Sequence, residues 1–262
     1  MKVLFSIGPV PVYFFGLMIA AGIIAGVWFA IKTAKKKQIS EDTILNLAIT
    51  VVTAGVIGAR VFYILFYNPS YYLSHPSEIL SINEGGMSIH GGIFLALTAG
   101  VIFSKKNKIS FFKLADITVI AAALAQGIGR VGCDVFGKAM VHVMHWGVKV
   151  NSQILHPAQV YEFILDYLLF IYLWGKSEKQ KYDGQLFVTY IIAFPVIRGI
   201  VEFFRINPVI WGPFSISHLL SLLFIAAGLI IYKFAGRNKQ AEFNNEEASV
   251  NLAQSLFGWP CY

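Results

Sequence analysis

Three charged side chains near residue 200 have a spacing that could bind an anion. Arg198, Glu202 and Arg205 occupy positions i, i+4 and i+7, so a helix would place all three on one face. Glu202 can bridge both arginines while leaving guanidinium N–H groups free to bind a phosphate in a bidentate manner. The alternative is a purely structural ion-pair network that holds helices together.

A further arginine follows a glycine-rich segment. Gln126 and Arg130 are one helical turn apart in QGIGRVG, whose glycines allow close helix packing or contact between the backbone and a ligand. Arg130 could instead extend to the phosphates of surrounding lipids. Glycines on both sides, and Asp134 four residues later, favour a binding role.

His90 is the candidate general base. It lies in GGMSIHGGIF, followed by Gly91 and Gly92, where a substrate could approach the backbone. Neutral imidazole can accept a proton near pH 7, although a lone histidine at a helix start is more often a hydrogen-bonded structural residue. Because His90, Arg130 and Arg198 are predicted at the same membrane depth, the sequence indicates a common site.

Other ionisable residues fall inside apolar segments. Arg60 is expected to need an acidic partner, for which Asp116, Glu162 and Asp166 are the candidates. Gln159, Glu162 and Asp166 approximate one face of a helix. Carboxylates in such positions are as compatible with structural pairing to arginines on other helices as with chemistry.

Apolar helices must position these residues. The 262-residue chain is 56% hydrophobic and 13% charged, whereas soluble domains are about one-quarter charged. This composition excludes a disordered chain, a disulfide scaffold and a soluble nucleic-acid-binding protein. A membrane-spanning helix needs about 20 apolar residues. Seven stretches qualify, at roughly 10–31, 43–67, 88–104, 112–130, 157–174, 184–204 and 214–235.

The net charge of +7 predicts an orientation, because short loops rich in Lys and Arg stay in the cytoplasm. Basic residues follow the first, third, fifth and last stretches: Lys32, Lys35, Lys36 and Lys37; Lys105, Lys106 and Lys108; Lys176, Lys179 and Lys181; and Lys233, Arg237 and Lys239. We therefore expect an all-α, polytopic membrane protein with its N-terminus outside and its C-terminus in the cytoplasm. Residues 1–235 form the predicted membrane domain, and 236–262 a polar cytoplasmic tail. Cys133 and Cys261 form no CxxC pair, so no metal or cofactor is expected.

Several segments together resemble the prolipoprotein diacylglyceryl transferases of bacteria. They are YNPSYYLSHPSEIL at 67–80, EGGMSIHGG at 84–92, FFKLADI at 111–117, QGIGRVG at 126–132, HPAQVYE at 156–162 and RGIVEFFR at 198–205. The resemblance covers about residues 10–235. It implies a seven-span enzyme of the bacterial cytoplasmic membrane with its N-terminus outside, in agreement with the loop charges.

The resemblance also implies a reaction. Enzymes of this family transfer a diacylglyceryl group from phosphatidylglycerol to the lipobox cysteine of a preprolipoprotein signal peptide and release glycerol 1-phosphate, the first step of lipoprotein maturation. By this resemblance the catalytic residues are His90, Arg130 and Arg198, and Arg130 and Arg198 are the essential pair. The predicted substrate-binding residues are Arg130, Arg198, Glu202, Arg205, Gly91 and Gly92.

One segment departs from the family pattern. After Gly-Arg-x-Gly the family usually has Asn-Phe-x-Asn and then an acid, whereas this chain has Cys133, Asp134, Val135 and Phe136, with Lys138 at the acidic position. Two alternatives therefore stay open. One is a paralogous phospholipid-using transferase with an altered donor or acceptor. The other is a non-catalytic lipid-binding or transport protein. Many transporters are built from internal repeats, and the absence of internal symmetry in this sequence counts against that alternative.

Overall fold

The computed structural model describes residues 3–8, 10–81 and 85–233, so the predicted tail at 236–262 lies outside the described residues. Its long helices are α1 (Phe14–Lys36), α2 (Glu41–Tyr67), α4 (Ile89–Lys106), α5 (Phe111–Val131), α6 (Ala158–Lys176), α7 (Gln185–Glu202) and α8 (Ile216–Lys233), with a short α3 (Pro69–Ser74) after α2. Each of the seven predicted stretches overlaps one long helix.

Five of these helices are long and apolar enough to cross a membrane, namely α1, α2, α5, α7 and α8. The other two long helices carry more polar residues. α4 begins with His90 in its first turn and ends with two lysines, and α6 contains Glu162 and Asp166. The protein is thus mostly helical and has the character of a multi-pass membrane protein.

Short β-hairpins modify the predicted all-α architecture. Three antiparallel pairs are present in the described residues: β1 (Val3–Ile7) with β2 (Val10–Tyr13), β3 (Val148–Val150) with β4 (Gln153–Leu155), and β5 (Val209–Trp211) with β6 (Phe214–Ser215). The turn between β3 and β4 uses positive φ angles at Asn151 and Ser152, as a tight hairpin turn requires. Since β2 pairs with β1, the first helix begins at Phe14 rather than at residue 10.

Glycines allow the helices of the bundle to approach closely. In α1, Gly22 and Gly26 form a GxxxG pattern, and a Cβ added at Gly26 would lie 2.9 Å from the carbonyl oxygen of Ala121 in α5. Similarly, a Cβ at Gly58 of α2 would lie 2.5 Å from the carbonyl oxygen of Gly91 in α4. These contacts place α5 beside α1 and α4 beside α2.

Asp116 joins α5 to the start of α7. Its carboxylate is completely buried and accepts the backbone N–H groups of Gly184 (2.7 Å) and Phe187 (2.8 Å), together with the side-chain amide of Gln180. An anion at a helix N-terminus is stabilised by these free N–H groups. Lys37 Nζ lies 3.9 Å from the carboxylate. Burial lowers the pKa of the Lys37 ammonium, and the charge of Asp116 opposes that shift.

Arg60 does not pair with any of the predicted acids. Its guanidinium is buried in α2 and donates to backbone carbonyls at 2.6–2.9 Å, those of Glu78, Ile79, Gly85 and Gly86. The ring of Tyr72 lies 5.0 Å from the guanidinium carbon. The five donors of an arginine can satisfy several carbonyls that a loop leaves without partners. The predicted acidic partner was therefore wrong, and Arg60 organises the segment around the 3₁₀ helix Pro76–Leu80.

Candidate active site

Glu162 lies at the centre of a cluster of arginines. Its side chain, in the second turn of α6, is 0% exposed. Its oxygens lie 2.6 Å from Arg130 Nη2, 3.2 Å from Arg205 Nη1 and 3.8 Å from Arg198 Nη1. The arginines come from the end of α5, from α7 and from the segment after α7. We use the name arginine cluster for five residues: Arg130, Glu162, Arg198, Glu202 and Arg205.

Glu202 closes the cluster from the last turn of α7. Its Oε2 lies 2.9 Å from Arg198 Nη2 and 4.0 Å from Arg205 Nε, so the predicted bridging of both arginines by this glutamate is confirmed. The other oxygen, Oε1, accepts hydrogen bonds from Asn207 Nδ2 at 2.6 Å and from Ser215 Oγ at 2.7 Å. Each carboxylate oxygen therefore has a different set of partners.

Arg205 reaches the cluster from outside the helix. The prediction that it shares a helical face with Arg198 was wrong in this respect, because α7 ends at Glu202. Arg205 instead pairs with Gly137 in a β-bridge, and Lys138 donates its backbone N–H to the carbonyl of Phe204 at 2.7 Å. The segment after α5 is thereby attached to the cluster.

Several buried polar atoms of the arginine cluster lack hydrogen bonds. Arg198 Nη1 and Arg205 Nε have no hydrogen-bond partner among the described residues, and they lie 3.8 Å from Glu162 Oε1 and 4.0 Å from Glu202 Oε2, two oxygens that also lack hydrogen bonds. The three arginine side chains are 15–28% exposed, so part of each is accessible. Buried donors are normally satisfied. Three guanidinium groups around two carboxylates with unused N–H groups are suited to bind an anion such as a phosphate.

Neighbouring polar residues occupy the same interior. Asp166, one turn after Glu162, is 1% exposed, and neither of its carboxyl oxygens has a hydrogen-bond partner among the described residues. Gln126 accepts a hydrogen bond from Tyr190 Oη at 2.7 Å, which ties α5 to α7. Gln159 has a buried side-chain oxygen, also without a described partner. The predicted common face of Gln159, Glu162 and Asp166 thus points into the bundle.

His90 is separated from these contacts. It lies exposed in the first turn of α4, and it forms no hydrogen bond or ion pair with the arginine cluster in the described part of the chain. Gly91 and Gly92 pack against α2, where a Cβ at Gly92 would lie 3.2 Å from the carbonyl oxygen of Gly55. The structure therefore brings the predicted arginines and Glu202 together and leaves His90 on a different helix pair.

The segment that departs from the family pattern begins directly at the cluster. Cys133 is a half-buried free thiol whose N–H donates to the carbonyl of Arg130 at 3.1 Å, and Asp134 is exposed. Across residues 3–8, 10–81 and 85–233, no group of three His, Cys, Asp or Glu side chains could hold a metal ion.

Three residues of the site were not predicted from the sequence: Asn207, Ser215 and His218. Ser215 and His218 follow the pattern Ser-x-x-His at the start of the last apolar stretch. A polar residue three positions after a serine, just before an apolar run, is a signal of a helix N-terminus and could have indicated a local hydrogen-bond network. Asn207 carries no comparable signal.

Comparison with known proteins decides the family. A family model described as prolipoprotein diacylglyceryl transferase matches residues 2–234. The chain belongs to the prolipoprotein diacylglyceryl transferase family. Three relatives named phosphatidylglycerol-prolipoprotein diacylglyceryl transferase come from Clostridioides difficile, Finegoldia magna and Bacillus cereus.

The similarity to these relatives extends over nearly the whole of each chain. The Clostridioides protein is 34% identical over 94% of this chain and 99% of its own length. The Finegoldia protein is 33% identical over 88% of this chain and 94% of its own length. The Bacillus protein is 31% identical over 92% of this chain and 94% of its own length. The matched family region includes all long helices and the complete arginine cluster.

Proposed function

We propose that this chain transfers the diacylglyceryl group of phosphatidylglycerol to the lipobox cysteine thiol of prolipoproteins and releases glycerol 1-phosphate. The observation that carries the proposal is the arginine cluster, whose unused donors suit a phosphate, in a member of this transferase family. The names of the relatives supply the donor and the class of acceptor.

The transfer reaction needs fixed cations near the phosphate that leaves. The cysteine sulfur attacks the glyceryl carbon, a carbon–sulfur bond forms, and the electron pair of the breaking carbon–oxygen bond moves to the phosphate oxygen. A singly charged phosphodiester becomes a phosphomonoester with additional negative charge. Fixed cations stabilise the transition state in proportion to the charge that develops there. The guanidinium groups of Arg130, Arg198 and Arg205, whose side chains are 15–28% exposed, are the fixed cations for this role.

The thiol must lose its proton, because the thiolate is the nucleophile. In this proposal His90 accepts that proton as a general base. Gly91 and Gly92 hold the first turn of α4 against α2, which fixes the position of His90. We expect the pH–rate profile of His90→Asn to lose a limb that wild type shows, and an unchanged profile would contradict this role.

The same proposal includes the topology. Seven spans, an external N-terminus and a cytoplasmic C-terminus are supported by the lysines in the last turns of α1, α4 and α6, which the positive-inside rule retains in the cytoplasm. Residues 1–235 would form the enzyme in the bacterial cytoplasmic membrane and 236–262 a cytoplasmic tail. The arginine cluster, at the opposite helix ends, then faces the outer leaflet.

Reconstitution tests the function directly. Purified protein in phosphatidylglycerol vesicles is incubated with a lipobox peptide, and mass spectrometry follows the peptide. We expect a mass increase of one diacylglyceryl group on the cysteine, and none with a Cys→Ser peptide or with vesicles that lack phosphatidylglycerol. Folded protein that forms no adduct contradicts the proposal. Release of glycerol 1-phosphate without an adduct would indicate a different acceptor, as the altered segment at Cys133 and Asp134 allows.

A further inference from the structure

His218 lies in the first turn of α8 and is 8% exposed. Its ring packs against Phe203 and Phe214, with centroid distances of 4.5 and 5.5 Å. Nδ1 accepts the backbone N–H of Ser215 at 3.1 Å, which requires a ring nitrogen without a proton, and Nε2 is buried without a hydrogen-bond partner among the described residues. The residue occupies the position that glutamate or glutamine takes in a capping box, with Ser215 as the N-cap.

Ser215 connects this cap to the arginine cluster. Its hydroxyl oxygen lies 2.7 Å from Glu202 Oε1 and 3.2 Å from His218 Nδ1. The single hydroxyl proton goes to the carboxylate, because a hydrogen bond to a charged acceptor is the stronger one. His218 therefore holds the serine through its backbone, and the serine side chain is directed at Glu202.

The hydrogen bonds of Glu202 Oε1 determine how Glu202 contacts Arg198. A carboxylate and a guanidinium tend to form two parallel hydrogen bonds. Here Glu202 Oε1 is already occupied by Ser215 and Asn207, and only Oε2 faces Arg198, at 2.9 Å from Nη2. Arg198 Nη1 has no hydrogen bond among the described residues, and its nearest carboxylate oxygen is Glu162 Oε1, at 3.8 Å.

We infer that His218 is a positioning residue for the transfer reaction. By fixing Ser215 it keeps Glu202 in a one-oxygen contact with Arg198, and so sets the position of the Arg198 guanidinium for the phosphate. The inference rests on the proposed function of the arginine cluster. The start of α8 then does more than cap a helix, because it positions charged groups of the reaction site.

Two substitutions separate these roles. Asparagine can place Oδ1 near the position of Nδ1 and accept the Ser215 N–H, whereas leucine fills the space between Phe203 and Phe214 better but accepts nothing. Transfer to a lipobox peptide is measured in vesicles over a range of phosphatidylglycerol concentrations. We expect His218→Leu to lower kcat about 10- to 100-fold with little change in KM, as small displacements of charged groups do. His218→Asn should stay closer to wild type.

The test is which of the two variants, His218→Leu or His218→Asn, has the higher kcat. If the residue served only for packing, His218→Leu would be the better enzyme. If it served only as a cap, His218→Leu would lose thermal stability without losing kcat. Either result overturns the inference. Ser215→Ala should lower kcat like His218→Leu, and His142→Leu, at an exposed histidine, is the matched control that should behave as wild type.

A second measurement does not depend on turnover. In ¹⁵N-histidine-labelled protein, the resonances absent from His218→Asn belong to His218. We expect an unprotonated Nδ1 and a protonated Nε2, and a protonated Nδ1 overturns the inference even if wild type forms no adduct. Absence of the adduct from wild type would by itself reject only the proposed function.

Discussion

Two buried carboxylates at opposite ends of the bundle have very different partners. Asp116 and Glu162 are both 0% exposed. Asp116 is held by two backbone N–H groups and one side-chain amide, with the ammonium of Lys37 at 3.9 Å. Glu162 is held by the guanidinium groups of three arginines, and donors of that group remain unused.

The difference separates a structural site from a binding site. Around Asp116 mostly uncharged donors point at the carboxylate, and they complete the start of α7. At the Glu162 end the cations outnumber Glu162 and Glu202, and burying such groups is costly without a further partner. An incoming phosphate would supply that partner, so we assign stability to the Asp116 end and function to the Glu162 end.

The largest effect on stability is expected from Glu162→Gln, which removes the carboxylate that three arginines share. Breaking a buried ion pair costs about 3–5 kcal/mol, so this variant should unfold at much lower denaturant concentration and lose transfer activity. Asp166→Asn, the same change one turn later in α6, is the matched control. Since no described residue donates a hydrogen bond to the Asp166 oxygens, this exchange breaks no described hydrogen bond, and its effect should be much smaller than that of Glu162→Gln. Equal destabilisation of the two variants would remove the distinction between these carboxylates.

At the other end, Asp116→Asn should weaken the fold without affecting chemistry. The amide keeps one acceptor oxygen but directs an NH₂ group towards the donors of Gly184 or Phe187, which costs about 1–3 kcal/mol. Denaturation in detergent micelles measures the loss. If stability were unchanged, the hydrogen bonds around Asp116 would not hold the start of α7.

A smaller effect is expected at Arg60, whose partners are backbone carbonyls rather than a second charge. Arg60→Ala leaves several carbonyls around residues 78–86 without a donor, and water can replace part of the loss because Ile79 and Gly85 are exposed. We expect about 1 kcal/mol of destabilisation. Limited proteolysis should cut near residues 76–86 faster than in wild type, and an unchanged cleavage rate would argue against this role.

The long helices and the arginines could be predicted from the sequence because each has a local signal. Apolar runs of membrane-spanning length predict helices, and the spacing of Arg198 and Glu202 within one run predicts their ion pair. The family resemblance rested on segments that the matched region contains, and family membership was confirmed.

The partners across helices could not be predicted in the same way. The central role of Glu162 depends on which faces of α5, α6 and α7 meet, and the spacing of residues along one helix does not determine that. Arg60 bonds to backbone carbonyls because the segment around Glu78 folds back on it, and backbone carbonyls leave no signal in the residue types of a sequence. The short hairpins depend on pairing between distant backbone groups, which apolar periodicity does not report.

The most direct test compares turnover per folded molecule in Arg198→Ala and Asp116→Asn, measured as diacylglyceryl adduct on a lipobox peptide in phosphatidylglycerol vesicles. Arg198→Ala leaves Glu162 paired with Arg130 and Arg205, so the fold should persist. We predict that its turnover falls by about 10²- to 10³-fold, the usual cost of removing a group that stabilises developing charge. Asp116→Asn should turn over like wild type. Substantial turnover by Arg198→Ala, or an equal loss in both variants, would contradict the assignment of function to the arginine cluster.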